Sequence, residues 1–199
     1  MSESIRKIQK MISNNKGVIT AREVKAAGIP TTYLSIMTKQ GLITRIGRGL
    51  YAFNDTYVDE MYELVLANRD IIFSHTSALY LHDLTDRTPL KMTVTVLRNK
   101  NASNLVNNPM VDVKRSSLGN YSLGMTMGVS HSGFPIPVYD IERTICDIVK
   151  NRNNTEPQIV SDALKEYVQR KDKDLAKLMD YAKQLKVEKT IRNYMEVLL

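Results

Sequence analysis

TAREVKAAGIPTTYLSIMTKQGLITRIGRGLYAF, residues 20–53, is the stretch whose reading decides the fold. Thr20 stands where an N-cap would, before a short helix over Ala21–Ala27 that ends at Gly28. Gly28-Ile29-Pro30 makes a turn, and a second helix runs from about Thr31 to Gln40, stopped by Gly41. Leu42–Arg45 and Gly49–Phe53 then read as two strands joined through Ile46-Gly47-Arg48-Gly49, where glycine permits the positive backbone angles of a tight hairpin.

Working back toward the start, Ile5, Ile8, Met11 and Ile12 recur at helical spacing over Ser4–Ser13, with Ser2 or Ser4 available as a cap. Asn14-Asn15-Lys16-Gly17 ends that helix, and the Gly-Val-Ile run after it suits a short extended segment. Three helices and a two-stranded hairpin within about 50 residues form a winged helix-turn-helix, whose second and third helices carry the part that enters DNA.

Charge supports this reading. Residues 1–54 hold nine Lys or Arg against Glu3 and Glu23, a net of +7, whereas residues 55–199 hold 19 basic and 19 acidic residues. A cationic head on a neutral body points to nucleic acid as the partner. The break also divides the chain into two expected domains, 1–54 and 55–199.

On the helix over Thr31–Gln40, Leu34 and Met37 continue to Leu42 as a buried stripe. Thr31, Thr32, Ser35, Thr38 and Lys39 then face outward, with Tyr33 near the helix start. Short hydroxyls approach base edges or phosphates closely and Lys39 adds charge, while Tyr33 either bonds a phosphate or packs under the turn. Arg45 and Arg48 flank the glycine turn, where an arginine lies along a phosphate or in the minor groove. Arg22 sits in the first turn of the preceding helix. The expected DNA-binding set is therefore Arg22, Thr31, Thr32, Tyr33, Ser35, Lys39, Arg45 and Arg48. A head making five or six phosphate contacts gives a salt slope near about −5.

The body is quieter. Tyr57–Asn68 and Ser74–Leu84 are helical by spacing, and Lys91–Arg98 alternates like a half-buried strand. Asp112–Arg115, Gly124–Ser130 and Ile136–Tyr139 supply further strands, and Pro135 and Pro137 mark the last as an edge strand or loop. Helices follow over residues 141–149, 156–170, 175–185 and 188–198. The fold class is α+β: a winged helix-turn-helix followed by a mixed domain with a small β-sheet and a helical C-terminal tail.

No chemistry-bearing motif accompanies this pattern. His75 and His82 fall on one expected helix, too far apart to share a metal ion, and both are read as packing or capping residues. The chain lacks a nucleophile elbow, a P-loop, a His-Glu-x-x-His and a dinucleotide fingerprint. Asp140 and Glu142 fit the start of a helix, where acids are stabilised by the dipole. The single cysteine, Cys146, lies in an apolar helical pattern and reads as a buried structural thiol. The expectation is a cytoplasmic protein, not an enzyme, with no cofactor, no metal and no membrane partner.

The order of features resembles the AbiEi family of antitoxins and transcriptional regulators. The segments that carry the resemblance are Gly47-Arg48-Gly49-Leu50-Tyr51, Ser74-His75-Thr76-Ser77-Ala78-Leu79, the Thr-Val-Thr-Val strand, and Ile141-Glu142-Arg143-Thr144-Ile145-Cys146-Asp147. The resemblance implies an autorepressor that binds inverted repeats of double-stranded DNA in its own promoter. It also implies a type IV antitoxin, one that counters a nucleotidyltransferase toxin without a stable complex. The competing reading is a winged-helix regulator that responds to a ligand or partner and has no antitoxin role. Whether two copies pair in solution or only on DNA is left open by the sequence.

Overall fold

The computed structural model describes residues 2–199. The architecture is α+β, in two compact units: one holds the residues up to Arg69 together with Ser130–Phe134, the other Asp70–Val129 with Pro135–Leu199.

The first unit opens with α1 (Glu3–Asn14), β1 (Val18–Thr20), α2 (Ala21–Ala26) and α3 (Thr32–Lys39), and continues with β2 (Thr44–Gly47), β3 (Leu50–Ala52) and α4 (Glu60–Ala67). Helix α1 buries Ile5, Ile8 and Ile12, the i, i+3, i+7 stripe of an amphipathic helix. They meet Val24 of α2, Leu34 and Met37 of α3, and Ile19, Ile29 and Ile43 in one core. Each such side chain, fully buried, contributes about 1.5–3 kcal/mol relative to exposure. Thr20 begins α2 with a complete capping box, its hydroxyl accepting from the Glu23 amide while the Glu23 carboxylate accepts from the Thr20 amide.

The extended segment after Gly17 is a true strand. The sheet order is β1-β3-β2, antiparallel throughout, with Ile19 opposite Tyr51 and Arg45 opposite Tyr51 on the other side. Arg48 and Gly49 alone link Gly47 to its partner Leu50, and Gly49 takes the positive φ of 71° that this turn requires. Gly17 is a second obligatory glycine: its φ is 87°, and a Cβ there would collide with the Thr56 side chain.

The unit runs past the charge break at Asn54. Asp59 caps α4 and is buried, accepting from the Tyr62 amide at 2.9 Å, the Ser130 hydroxyl at 2.5 Å and the Ser132 amide at 2.9 Å. Tyr62 stacks on Phe134 at 4.1 Å between ring centroids. These bonds fasten Ser130–Phe134 to α4.

The second unit contains β4 (Ile72–Phe73), α5 (His75–Leu81), β5 (Met92–Leu97), α6 (Ser103–Val106), β6 (Val111–Ser116), α7 (Leu118–Tyr121), β7 (Met125–Val129) and β8 (Pro135–Tyr139). The helices α8 (Ile141–Lys150), α9 (Pro157–Gln169), α10 (Leu175–Gln184) and α11 (Glu188–Leu198) complete it. Its mixed sheet has the order β6-β5-β4-β8-β7. Helix α8 is the hub: Ile145, Cys146 and Val149 pack with Leu79 of α5, Leu164 and Tyr167 of α9, Leu178 and Ala182 of α10, and Ile191 of α11. The C-terminal helices are thus part of the core of this unit.

One expectation is corrected. The strand containing Pro135 and Pro137 is interior, lying between β4 and β7. Ser130 donates its amide to Phe134, and Asp140 its amide to Gly124, so the hydrogen-bonded positions toward β7 are the even-numbered ones, Ile136 and Val138. The prolines fall at the positions between them. On the other side β4 is only two residues long and pairs β8 only at Val138, beyond both prolines. Neither neighbour needs the missing N–H, so the rule that confines proline to an edge is evaded.

Ser74 occupies the N-cap position of α5 without capping it; its hydroxyl accepts from Thr95 instead. His82 lies just past that helix, with Nε2 2.6 Å from the Tyr139 carbonyl oxygen. Among the described residues no helix is long and apolar enough to cross a membrane.

Candidate nucleic-acid interface

Helix α3 is held from beneath by Leu34 and Met37, both fully buried. Residues three, four and seven positions apart share a helix face, so the opposite side is a stripe of Thr32, Ser35, Ile36 and Lys39, all exposed. Thr31 precedes the helix and is exposed too. Of the two roles open to Tyr33 the core takes it, and Thr38, expected to face outward, is turned to its own helix. Tyr33 is half-buried against the core, and Thr38 donates its hydroxyl to the Leu34 carbonyl at 2.8 Å. Sequence reasoning missed Ile36, which is 41% exposed in the middle of the stripe. An isoleucine there offers a base edge the one thing the hydroxyls cannot, an apolar contact suited to a thymine methyl. The i, i+3, i+4, i+7 template run from Thr32 would have found it.

The hairpin tip lies beside the start of α2. The Ala21 amide donates to the Gly49 carbonyl at 2.7 Å, and a Cβ on Gly49 would sit 3.6 Å from that of Ala21. Arg48 and Arg22, each adjacent in sequence to one of these contacts, are both exposed. Arg45 is exposed on β2, its Nε donating to the Gly47 carbonyl at 3.1 Å. A one-residue irregularity between Arg45 and Gly47 marks a bulge at Ile46.

The local acids are already committed. Glu3 pairs with Lys7 at 2.8 Å, and Glu23 caps α2 while approaching Arg69 at 3.7 Å. Among the described residues, Arg22, Lys39, Arg45 and Arg48 enter no salt bridge, so their charge is free for an external anion. Lys16 differs: its ammonium donates to the Gly133 carbonyl at 2.7 Å. The arrangement offers unneutralised cations around a helix bearing hydroxyls and one apolar side chain, which suits phosphate contact and base-edge contact on one surface.

Asp140 and Glu142 of the second unit serve structure. Asp140 caps α8 by accepting from the Arg143 amide at 2.9 Å. Lys177 bridges Asp140 at 2.9 Å and Glu142 at 3.1 Å, and Glu142 also accepts the Asp174 amide at 3.1 Å, tying α10 to α8. Burial pushes the Cys146 thiol up to about 12, which leaves it protonated and inert at neutral pH. Among the described residues no group of three or more His, Cys, Asp or Glu is placed to hold a metal ion.

Residues 6–54 match the family described as transcriptional regulator, AbiEi antitoxin. No curated protein matches the chain significantly. The crystal structure of the RV2827C protein from Mycobacterium tuberculosis is similar in fold over 100% of this chain and 81% of that one, with a TM-score of 0.53 at 12% sequence identity. Residues 6–54, which contain most of α1, all of α2 and α3, and the three-stranded sheet, therefore carry the signature of the AbiEi antitoxin family of transcriptional regulators.

Proposed function

We propose that this chain is a DNA-binding autorepressor and the antitoxin of a type IV toxin–antitoxin system, working in the cytoplasm. The first unit acts as a winged helix-turn-helix: α3 enters the major groove of a duplex, and the β2–β3 hairpin is the wing, with Arg48 on phosphate or in the adjacent minor groove. Thr31, Thr32, Ser35 and Ile36 meet bases or sugars. Arg22, Lys39 and Arg45 neutralise phosphates, and Tyr33 supports the helix from its half-buried position. The observation that carries this reading is the exposed Thr32-Ser35-Ile36-Lys39 stripe beside cations that no acid neutralises.

Repression acts on inverted repeats in the chain's own promoter, two copies occupying one site. The antitoxic role, supported by the family match, is antagonism of a co-encoded nucleotidyltransferase without a stable complex. Mobility shifts with the chain's own promoter test the first role, with retention by promoter DNA and none by a shuffled duplex as the expected result. Co-expression with the nucleotidyltransferase encoded beside it tests the second. Growth restored by the chain, with no complex on size exclusion, is expected; growth arrest despite ample chain would overturn that role.

A further inference from the structure

Two of the sequence segments singled out above, Ser74–Leu79 and Ile141–Asp147, meet at one pocket of the second unit. It has a volume of about 220 Å³, and His75, Thr95, Arg143 and Asp147 line it together with Lys114 and Lys150. Arg143 and Asp147 lie one turn apart on α8, with Nε 3.0 Å from Oδ1 and side chains only 3% and 7% exposed. Arg143 is clamped in place: one terminal nitrogen donates to the carbonyls of Asn120 and Leu123, and the guanidinium lies 4.1 Å from the centre of the Tyr139 ring.

This clamped pair is incompletely satisfied. Among the described residues Asp147 Oδ2 is buried with no hydrogen-bond partner, whereas Arg143 Nε faces the Oδ1 of the same carboxylate in the ion pair. A charged acceptor buried without a partner is costly, so Asp147 Oδ2 calls for a donor from outside the chain. His75 adds backbone strain, with φ 49° at a non-glycine residue. Burial holds its imidazole below the ordinary histidine value, leaving it neutral at pH 7. At the mouth, Lys114 shares its charge with Asp112 at 3.0 Å, while Lys150 is exposed and enters no salt bridge among the described residues.

We infer that this pocket binds a small phosphomonoester that also carries a free hydroxyl, a molecule of sugar-phosphate size. Lys150 and Lys114 favour a dianionic phosphate. The unpaired Asp147 Oδ2 calls for a donor on the same molecule, and a sugar hydroxyl supplies one while the phosphate stays on the lysines. The volume is below the roughly 300 Å³ at which drug-sized sites begin, so a single small molecule fills it.

The test is calorimetric titration of the full chain with ribose 5-phosphate, inorganic phosphate and ribose, with thermal shift as a second readout. Saturable binding of ribose 5-phosphate, tighter than either half alone, is expected. Lys150→Ala should weaken it by about tenfold, as loss of one charge-assisted contact does. Asp147→Asn should abolish the advantage of ribose 5-phosphate over inorganic phosphate. If that buried variant fails to fold, Lys150→Ala decides alone, since Lys150 is exposed. No saturable binding of any probe, equal binding of inorganic phosphate and ribose 5-phosphate, or binding indifferent to Lys150→Ala would each overturn the inference.

Discussion

Replacing Arg48 by Ala removes one cation from the wing without touching the core, because the side chain is exposed and pairs with no acid. The four cations assigned to phosphate, Arg22, Lys39, Arg45 and Arg48, at about −0.9 per neutralised phosphate, give a slope of log affinity against log salt near about −3.6. That is shallower than the value near about −5 implied by five or six contacts. Between 50 and 200 mM salt the parent should lose roughly 150-fold in affinity, and Arg48→Ala, with a slope near about −2.7, only about 40-fold. Fluorescence anisotropy on a labelled promoter duplex across that salt range reads both numbers. The same variant should weaken binding to specific and unrelated duplexes alike. An Arg48→Ala protein with the parent's slope, or a parent whose affinity ignores salt, would refute the assignment of these cations to phosphate.

Three further outcomes are expected. Ile36→Ala should cost about 1–3 kcal/mol on the parent operator and relax preference at a single base pair, and Ser35→Ala should do so at a neighbouring one, as read by mobility shifts against an operator substituted one pair at a time; a uniform loss over every sequence would place α3 outside the groove. Asp59 is buried, which alone would raise its carboxyl, yet the hydrogen bonds from Ser130, Ser132 and Tyr62 prevail and hold it below the usual aspartate value. A lowered folded-state value stabilises above the unfolded pKa of about 3.9, and that gain fades as pH falls through the folded value, so Asp59→Asn should cost about 1.5–3 kcal/mol at neutral pH and flatten the acid limb of urea stability. Parallel acid limbs for parent and variant would show that Asp59 contributes no such linkage. Gly17→Ala places a Cβ against Thr56 at a left-handed φ and should destabilise by about 2 kcal/mol, a fall of roughly 4–8 °C in Tm by scanning calorimetry; an unchanged Tm would contradict the crowding.

The first unit was legible because its signals are local. A capping threonine, a glycine stop, a 3.6-residue stripe and a Gly-Arg-Gly turn each act within a few residues, so Thr20, Gly28, Leu34, Met37 and Gly49 could be placed without any tertiary contact. Ile36 escaped because the sequence reading followed only the buried stripe of Leu34, Met37 and Leu42 and the polar residues opposite it, whereas an apolar residue stands exposed within that polar stripe. The interior position of β8 depends on how long β4 is, a property of a neighbour more than 60 residues away that no proline rule contains. The pocket of the second unit was invisible for a related reason. Arg143 and Asp147 look like an ordinary i, i+4 helix pair, and only the fold brings His75 and Lys114 to the same cavity and leaves Asp147 Oδ2 unpaired.

The central claim is that the first unit grips a duplex through α3 and the β2–β3 hairpin. Hydrogen exchange of the full chain, with and without its own promoter duplex, tests it most directly. The account predicts slowed exchange over residues 32–39 and 44–52 when DNA is added. Unchanged exchange in both segments, with slowing confined to the second unit, would contradict it.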